Sequence, residues 1–202
     1  VSTARGTRAL VVTAVVALAA GVLGAVLVLR ATDGSSVLDT GADAGFARDM
    51  QTHHHQAVEM AFLVRDRTED PEVRTLAFDI ITSQQQQAGQ MYGWLVQWGL
   101  PQTAPREPMA WAGGDHGGHS GDGGMPGLAT AEQLDELRAA EGVEAERVFL
   151  RLMVEHHRGG VEMAEAALAE AHTDEVLGLA RAIDRSQTSE IELMETMLRQ
   201  RS

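Results

Sequence analysis

The chain has 202 residues, 44% of them hydrophobic, 22% charged and only 4% aromatic, and it contains no cysteine. Its 16 basic residues are all arginine and face 29 acids, a formal net charge of -13. These facts exclude disulfides, thiolate metal sites, cysteine nucleophiles and all lysine chemistry. They also set the overall field against DNA and RNA, so no nucleic-acid partner is expected.

The first element is an apolar run, Ala9 to Leu29, broken only by Thr13 and two glycines. A helix of that length, at about 1.5 Å per residue, matches the roughly 30 Å of a bilayer core. Arg5 and Arg8 precede it and Arg30 closes it, which places the short amino terminus inside. Residues 1–30 are therefore expected to form an N-terminal transmembrane helix. It would hold a single-pass protein in the cell membrane through residues 9–29, with the C-terminal domain extracytoplasmic. A cleaved export signal is the alternative, and it would make the remainder secreted. Residues 31–42 are small and polar and read as a linker.

Beyond the linker the chain repeats itself. The segment from Phe46 returns at Phe149, an offset of 103, without a gap through Leu95 and Leu198, and 18 of the 50 paired positions are identical. Met50, His53, His54, Val58, Glu59 and Met60 return as Met153, His156, His157, Val161, Glu162 and Met163. Ser83, Gln84 and Met91 return as Ser186, Gln187 and Met194. The repeat halves are 46–98 and 149–201, within a helical domain over 43–202.

Each half reads as two helices. In the first, helix A covers about Asp43 to Asp66. Asp70-Pro71-Glu72 then supplies a cap, a first-turn proline and a dipole-facing acid for helix B, which runs to about Trp98. Gly99, Pro101 and Pro105 end it. In the second half, helix A spans about Gly142 to Glu170 and helix B about Thr173 to Gln200. Residues 109–127 between the halves form a glycine-rich loop containing Met109, His116, His119 and Met125. Thr130, with Gln133 three residues on, caps a short extra helix to Ala140.

At 100 degrees per residue, Met50, His53, His54, Ala57, Met60 and Ala61 fall on the apolar arc of helix A, as do Met153, His156, His157, Gly160, Met163 and Ala164 in the second half. The apolar stripe of helix B carries polar residues, Gln84 and Gln87 beside Met91, and Gln187 and Glu190 beside Met194. Buried amides need partners, and histidines facing the same core are natural ones. Two hairpins with one apolar face each bury those faces as an all-α four-helix bundle.

Pseudo-two-fold symmetry would bring both His-His pairs into one region. Imidazole and thioether together suit copper, Cu(I) above all, whereas zinc gains little from methionine. The candidate ligands are His53, His54, Met60, His156, His157 and Met163. Met50, Met153, Gln84, Gln87, Met91, Gln187, Glu190 and Met194 are candidates for ligation or for orienting the ligands. The loop offers a separate set, Met109, His116, His119 and Met125. Asp49, one turn before His53, is placed to orient it. His55 and His172 read as surface residues, and Glu59, Glu162, Arg48 and Arg151 as packing or surface-pairing groups.

Glu-x-x-His and His-Glu-x-x-His are both absent, so di-iron oxidase and zinc-protease signals are missing. No nucleophile elbow or phosphate loop occurs either.

These motifs resemble the DUF305 family of bacterial extracytoplasmic proteins. The marks are Met50-x-x-His53-His54 to Met60 and Met153-x-x-His156-His157 to Met163, each followed by Ser-Gln leading to methionine. Members often carry Thr-Gln-x-x-Glu-Ile-x-x-Met there. The second half keeps Gln187, Glu190, Ile191 and Met194, while the first departs with Gln87 and Ala88. Met125-Pro126-Gly127-Leu128 is similar to the family's connector. The resemblance implies a ferritin-like four-helix fold and a role in periplasmic copper binding. The expected function is therefore copper sequestration or delivery. Two alternatives stay open: a structural or interaction module with core histidines, and a metal-dependent enzyme of unknown substrate. Beyond the metal ion, a second copy of the chain or a copper-handling protein is the partner to expect.

Overall fold

Local chemistry starts and stops each helix of the computed structural model, which describes residues 18, 21–25, 37–113 and 124–201. Five helices carry the described part of the unit Val37–Ser202: α1 (Ala42–Arg65), α2 (Pro71–Gln97), α3 (Ala131–Ala139), α4 (Gly142–Glu170) and α5 (Asp174–Gln200). The Asp70 carboxylate accepts the N–H groups of Glu72 at 2.8 Å and Val73 at 3.1 Å, and Pro71 opens α2. Thr130 and Gln133 close a reciprocal capping box on α3. Thr173 precedes α5 without capping it. Its hydroxyl and its N–H both donate to Asp43 at 2.8 Å, tying the α4–α5 turn to the start of α1.

The expected membrane helix is corrected. No helix among the described residues is long and apolar enough to cross a membrane. A bilayer core needs about 20 apolar residues in one helix, and of 9–29 only Leu18 and residues 21–25 are described, helical and exposed. The rest of that span lies outside the described residues. The transmembrane segment, the membrane partner and the single-pass localisation are withdrawn with it.

The fold of Val37–Ser202 is all-α and built from two helical hairpins. α1 packs on α2 and α4 on α5, while α1 packs against α4 to join the two. α3 lies across α1 and α4. The apolar faces form two clusters. Met60, Val64, Ile80, Phe149, Met153, Met194 and Met197 belong to one, and Phe46, Met50, Met91, Met109, Met125, Met163 and Ile183 to the other. All nine methionines are thus buried, each contributing about 1.5–3 kcal/mol relative to exposure. Met60, late in α1, shares a cluster with Met153, early in α4, and Met50 shares one with Met163. α1 and α4 therefore run antiparallel, and each cluster draws on both repeats.

The connector is fastened to this core from both ends. Asp49 accepts the Met109 N–H at 2.8 Å and the Trp111 Nε1–H at 2.7 Å. Those bonds hold Met109 at φ 62, a left-handed conformation uncommon outside glycine. Gln56 grips the main chain of Ala129 with both ends of its amide, at 2.9 and 2.7 Å. Gly127 lies at φ 72 against the Glu155 carbonyl, and a Cβ on Gly159 would collide with the Pro126 carbonyl. Only glycine allows two backbones to approach this closely. Gln56 and Gly159 are equivalent positions of the repeat, and each has been adapted to hold the same strand of connector.

Candidate metal centre

Between the two apolar clusters lies a polar layer. His53, His54, His156 and His157 are all fully buried. His53 and His156 approach to 3.8 Å between ring centroids, tilted by 37°, and His156 and His157 stand 6.3 Å apart. Their positions on the inner arcs of α1 and α4, where the two helices cross, bring the two repeats together at the first histidine of each pair.

The hydrogen bonds assign the tautomers. His53 Nε2 lies 3.1 Å from the Pro126 carbonyl, His54 Nε2 2.7 Å from Gln87 Oε1, and His157 Nε2 2.6 Å from Glu190 Oε2. All three partners are oxygen acceptors, so each Nε2 carries the proton and donates. In His53 and His54, which burial keeps neutral, the lone pair is then at Nδ1, and in all three rings Nδ1 is buried without a hydrogen-bond partner. His156 lies near the main chain of His53, but neither of its ring nitrogens is in hydrogen-bonding geometry. The side-chain amides of Gln84 and Gln187 are also buried and unpartnered. Gln187 lies over Gly160, where a Cβ would displace it.

Burial, against the opposing bond to the Pro126 carbonyl, pushes His53 down to about 4. Burial, with the neighbouring ring of His53, pushes His54 down to about 3. The same two causes take His156 well below its ordinary value. These rings are neutral at physiological pH and present lone pairs without first having to lose a proton. An unpaired buried polar atom costs about 1–3 kcal/mol, and this layer gathers several.

Among the described residues, no three histidine, aspartate or glutamate side chains are grouped as a metal would require. The arrangement does not fit a three-histidine zinc site. It fits an ion content with imidazole and thioether, because the layer sits between methionine clusters. Met60, Met153 and Met194 belong to one cluster and Met50, Met91 and Met163 to the other. Gln87 and Glu190 are half-buried and act on the distal nitrogens of His54 and His157. Met109 and Met125 pack with Met50, Met91 and Met163, whereas His116 and His119 lie outside the described residues. His55 and His172 are exposed. Glu59 is exposed and pairs with Arg138, and Arg151 with Glu136. Arg48 is buried and binds the Pro101 and Asp39 carbonyls at 2.9 and 2.8 Å.

Asp49 does not orient His53. Its carboxylate is spent on Met109 and Trp111, and burial pushes it up in spite of those bonds. The group that orients His53 is the Pro126 carbonyl, seventy-three residues away. A main-chain oxygen leaves no mark in residue type, so nothing in the sequence pointed to this partner. The Gly127 of the connector motif was the nearest available sign.

The fold and the polar layer define a two-hairpin helical protein with a layer of buried histidines between two apolar clusters. The family model for DUF305, a domain of unknown function, matches residues 43–198, and the chain belongs to that family. A DUF305 protein of Streptomyces coelicolor, described as secreted, is 47% identical, with a TM-score of 0.75 over 81% of this chain and 96% of that one. A DUF305 fragment from Deinococcus radiodurans is 34% identical, with a TM-score of 0.65 over 79% and 96%. The Cu(II)-bound form of CopM is 30% identical, with a TM-score of 0.61 over 78% and 96%. CopM is also known in Cu(I)-bound and silver-bound forms. A comparison with curated proteins returns no match. The chain is thus linked at family level to a ferritin-like fold with a metal-binding member.

Proposed function

We propose that this protein binds copper on the extracytoplasmic side of the bacterial cell and sequesters or delivers it, with Cu(I) the ion its buried centre suits best. The observation that carries the proposal is the set of buried, unpartnered Nδ1 atoms on His53, His54 and His157, each ring held at Nε2 by an oxygen acceptor, in a domain whose methionines are all buried. Metal-binding histidines are oriented in this way, through the nitrogen that does not ligate. Neutral nitrogen and sulfur donors favour a soft, low-charge cation. The ligands would be drawn from His53, His54, His156 and His157, no three of which are grouped about one point, with sulfur from Met60 and Met163 or the methionines clustered with them. The CopM structures with Cu(I), Cu(II) and silver support a metal role in a relative. The secreted description of the Streptomyces coelicolor relative supports the location.

The test is titration of the metal-free full chain with Cu(I) under a competing chelator. It compares the native protein with variants in which His53 and His54, or His156 and His157, are replaced by glutamine. Stoichiometric binding lost in both variants is the expected result. Binding that survives in both refutes the bundle site, and absence of binding at micromolar metal refutes the metal role in favour of a structural module.

A further inference from the structure

The duplication lets the outer face of α2 be compared with that of its equivalent, α5. Phe78, Thr82, Gln85, Gly89, Tyr92 and Val96 are spaced alternately by four and three residues, which sets them in one stripe along a helix. All six are exposed, Phe78 by 49%, Tyr92 by 53% and Val96 by 59%. The stripe is about 27 Å long, at about 1.5 Å per residue. It carries no charge, and no acid or arginine occurs between Asp79 and Arg106. At the offset of 103, the same stripe of α5 reads Arg181, Arg185, Thr188, Glu192, Glu195 and Arg199. There Glu195 pairs with Arg158 at 2.7 Å and with Arg199 at 3.9 Å, as on an ordinary solvated helix face. One position in the fold thus bears five charged residues in one repeat and none in the other.

Two features identify the cover of the α2 stripe as a second copy of the chain. In a pair related by a two-fold axis the same patch meets itself, so a charge near the axis faces its own like. For a chain of net charge -13, a patch without charge is the surface on which two copies can approach. A partner of different sequence sets no such condition, because acids on this chain could pair with its bases. The second feature is Gly89 and Gly93. Both lie inside α2, where glycine is a poor helix former, and nothing stands within 4 Å of a Cβ built on either. Packing within one chain does not require them, whereas a helix laid across them from outside would. We infer that α2 is the interface of a homodimer, in which two copies pack antiparallel along this stripe. With the two-fold axis between Gln85 and Gly89, Phe78 of one copy meets Val96 of the other and Tyr92 meets Thr82, a ring against a smaller side chain each time. Asp79 and Arg65, whose guanidinium stands 5.6 Å from the Phe78 ring centre, form the polar rim at each end. This pairing does not depend on the metal-binding proposal, and the metal-free chain shows it.

Sedimentation velocity of the full chain, 21.6 kDa as a monomer, tests the pairing. The native protein sediments as a dimer. A double variant, Gly89→Glu with Tyr92→Glu, writes the α5 residues Glu192 and Glu195 into the α2 stripe. It raises the dissociation constant by about a hundredfold or more, while far-UV circular dichroism and melting temperature hold, because both positions are exposed and glutamate is the better helix former at residue 89. Cysteine placement gives the second readout, since the chain has no cysteine of its own. A short bis-maleimide links Gln85→Cys into a covalent dimer and leaves Thr188→Cys, its equivalent on α5, unlinked. A native chain that stays monomeric at high micromolar concentration overturns the inference and returns the stripe to a different partner. Association that persists in the double variant, or cross-linking at residue 188 as strong as at residue 85, overturns it by placing the contact elsewhere.

Discussion

Acidifying the metal-free protein from about pH 6.5 to about pH 5 should destabilise it, above the usual carboxylate range. An unfolded imidazole titrates near 6.5, whereas burial holds His53 at about 4 and His54 at about 3. Below pH 6.5 the unfolded chain binds protons that the folded chain refuses, so stability is fully present above that pH and is lost as pH falls toward the folded values. Each such ring removes about 1.4 kcal/mol per pH unit in this window. By about pH 5, His53 and His54 together remove about 4 kcal/mol, and His156, lowered by the same burial, adds in the same direction. That loss is large against the roughly 5–15 kcal/mol that holds a typical domain together. Asp49 works with the opposite sign. Its pKa is raised, so its contribution is present below its unfolded value of 3.8 and is lost as pH rises through its folded value. Urea denaturation followed by far-UV circular dichroism, from about pH 7.5 to about pH 5, measures the effect. A His54→Gln variant should flatten the profile by close to one proton's slope. Equal stability of the native protein across that range would refute the assignment of these rings as buried and neutral.

Two further predictions concern the connector. Gly159→Ala drives a methyl group into the Pro126 carbonyl and should cost about 1–3 kcal/mol, seen as a lower melting temperature and faster proteolysis of the connector. By contrast Gly178→Ala, on an open face of α5, should stabilise by about 0.5–1 kcal/mol through helix propensity, and equal effects at the two glycines would refute the packing argument. Asp49→Ala strips the acceptor from the buried Met109 N–H and from Trp111. It should cost about 1–3 kcal/mol and shift Trp111 fluorescence toward that of a solvated indole; an unchanged spectrum would show that the carboxylate does not hold the connector.

Much of this architecture was legible before any coordinate was known, because helices write themselves into sequence at short range. The periodicity of Met50, His53, Ala57 and Met60 depends only on the angle between successive residues, and the cap at Asp70 only on its next three neighbours. The offset of 103 disclosed the duplication because both halves must solve the same packing problem. Hydropathy alone misled at the amino terminus. The apolar composition of 9–29 permits a membrane helix, but among the described residues no helix is long and apolar enough to be one.

Other features belonged to the crossing of distant elements. Periodicity shows which face of α1 is buried but not which residue of α4 it meets, so the approach of His53 to His156 and the exchange of Met60 and Met163 between clusters appeared only with the tertiary fold. The docking of the connector over the histidines was hidden for a different reason. It relies on the carbonyl of Pro126 and the bare backbone of Gly159, and main-chain atoms are chemically the same at nearly every position. Side-chain type encodes which surfaces are buried, whereas the meeting of backbones depends on how the helices finally pack.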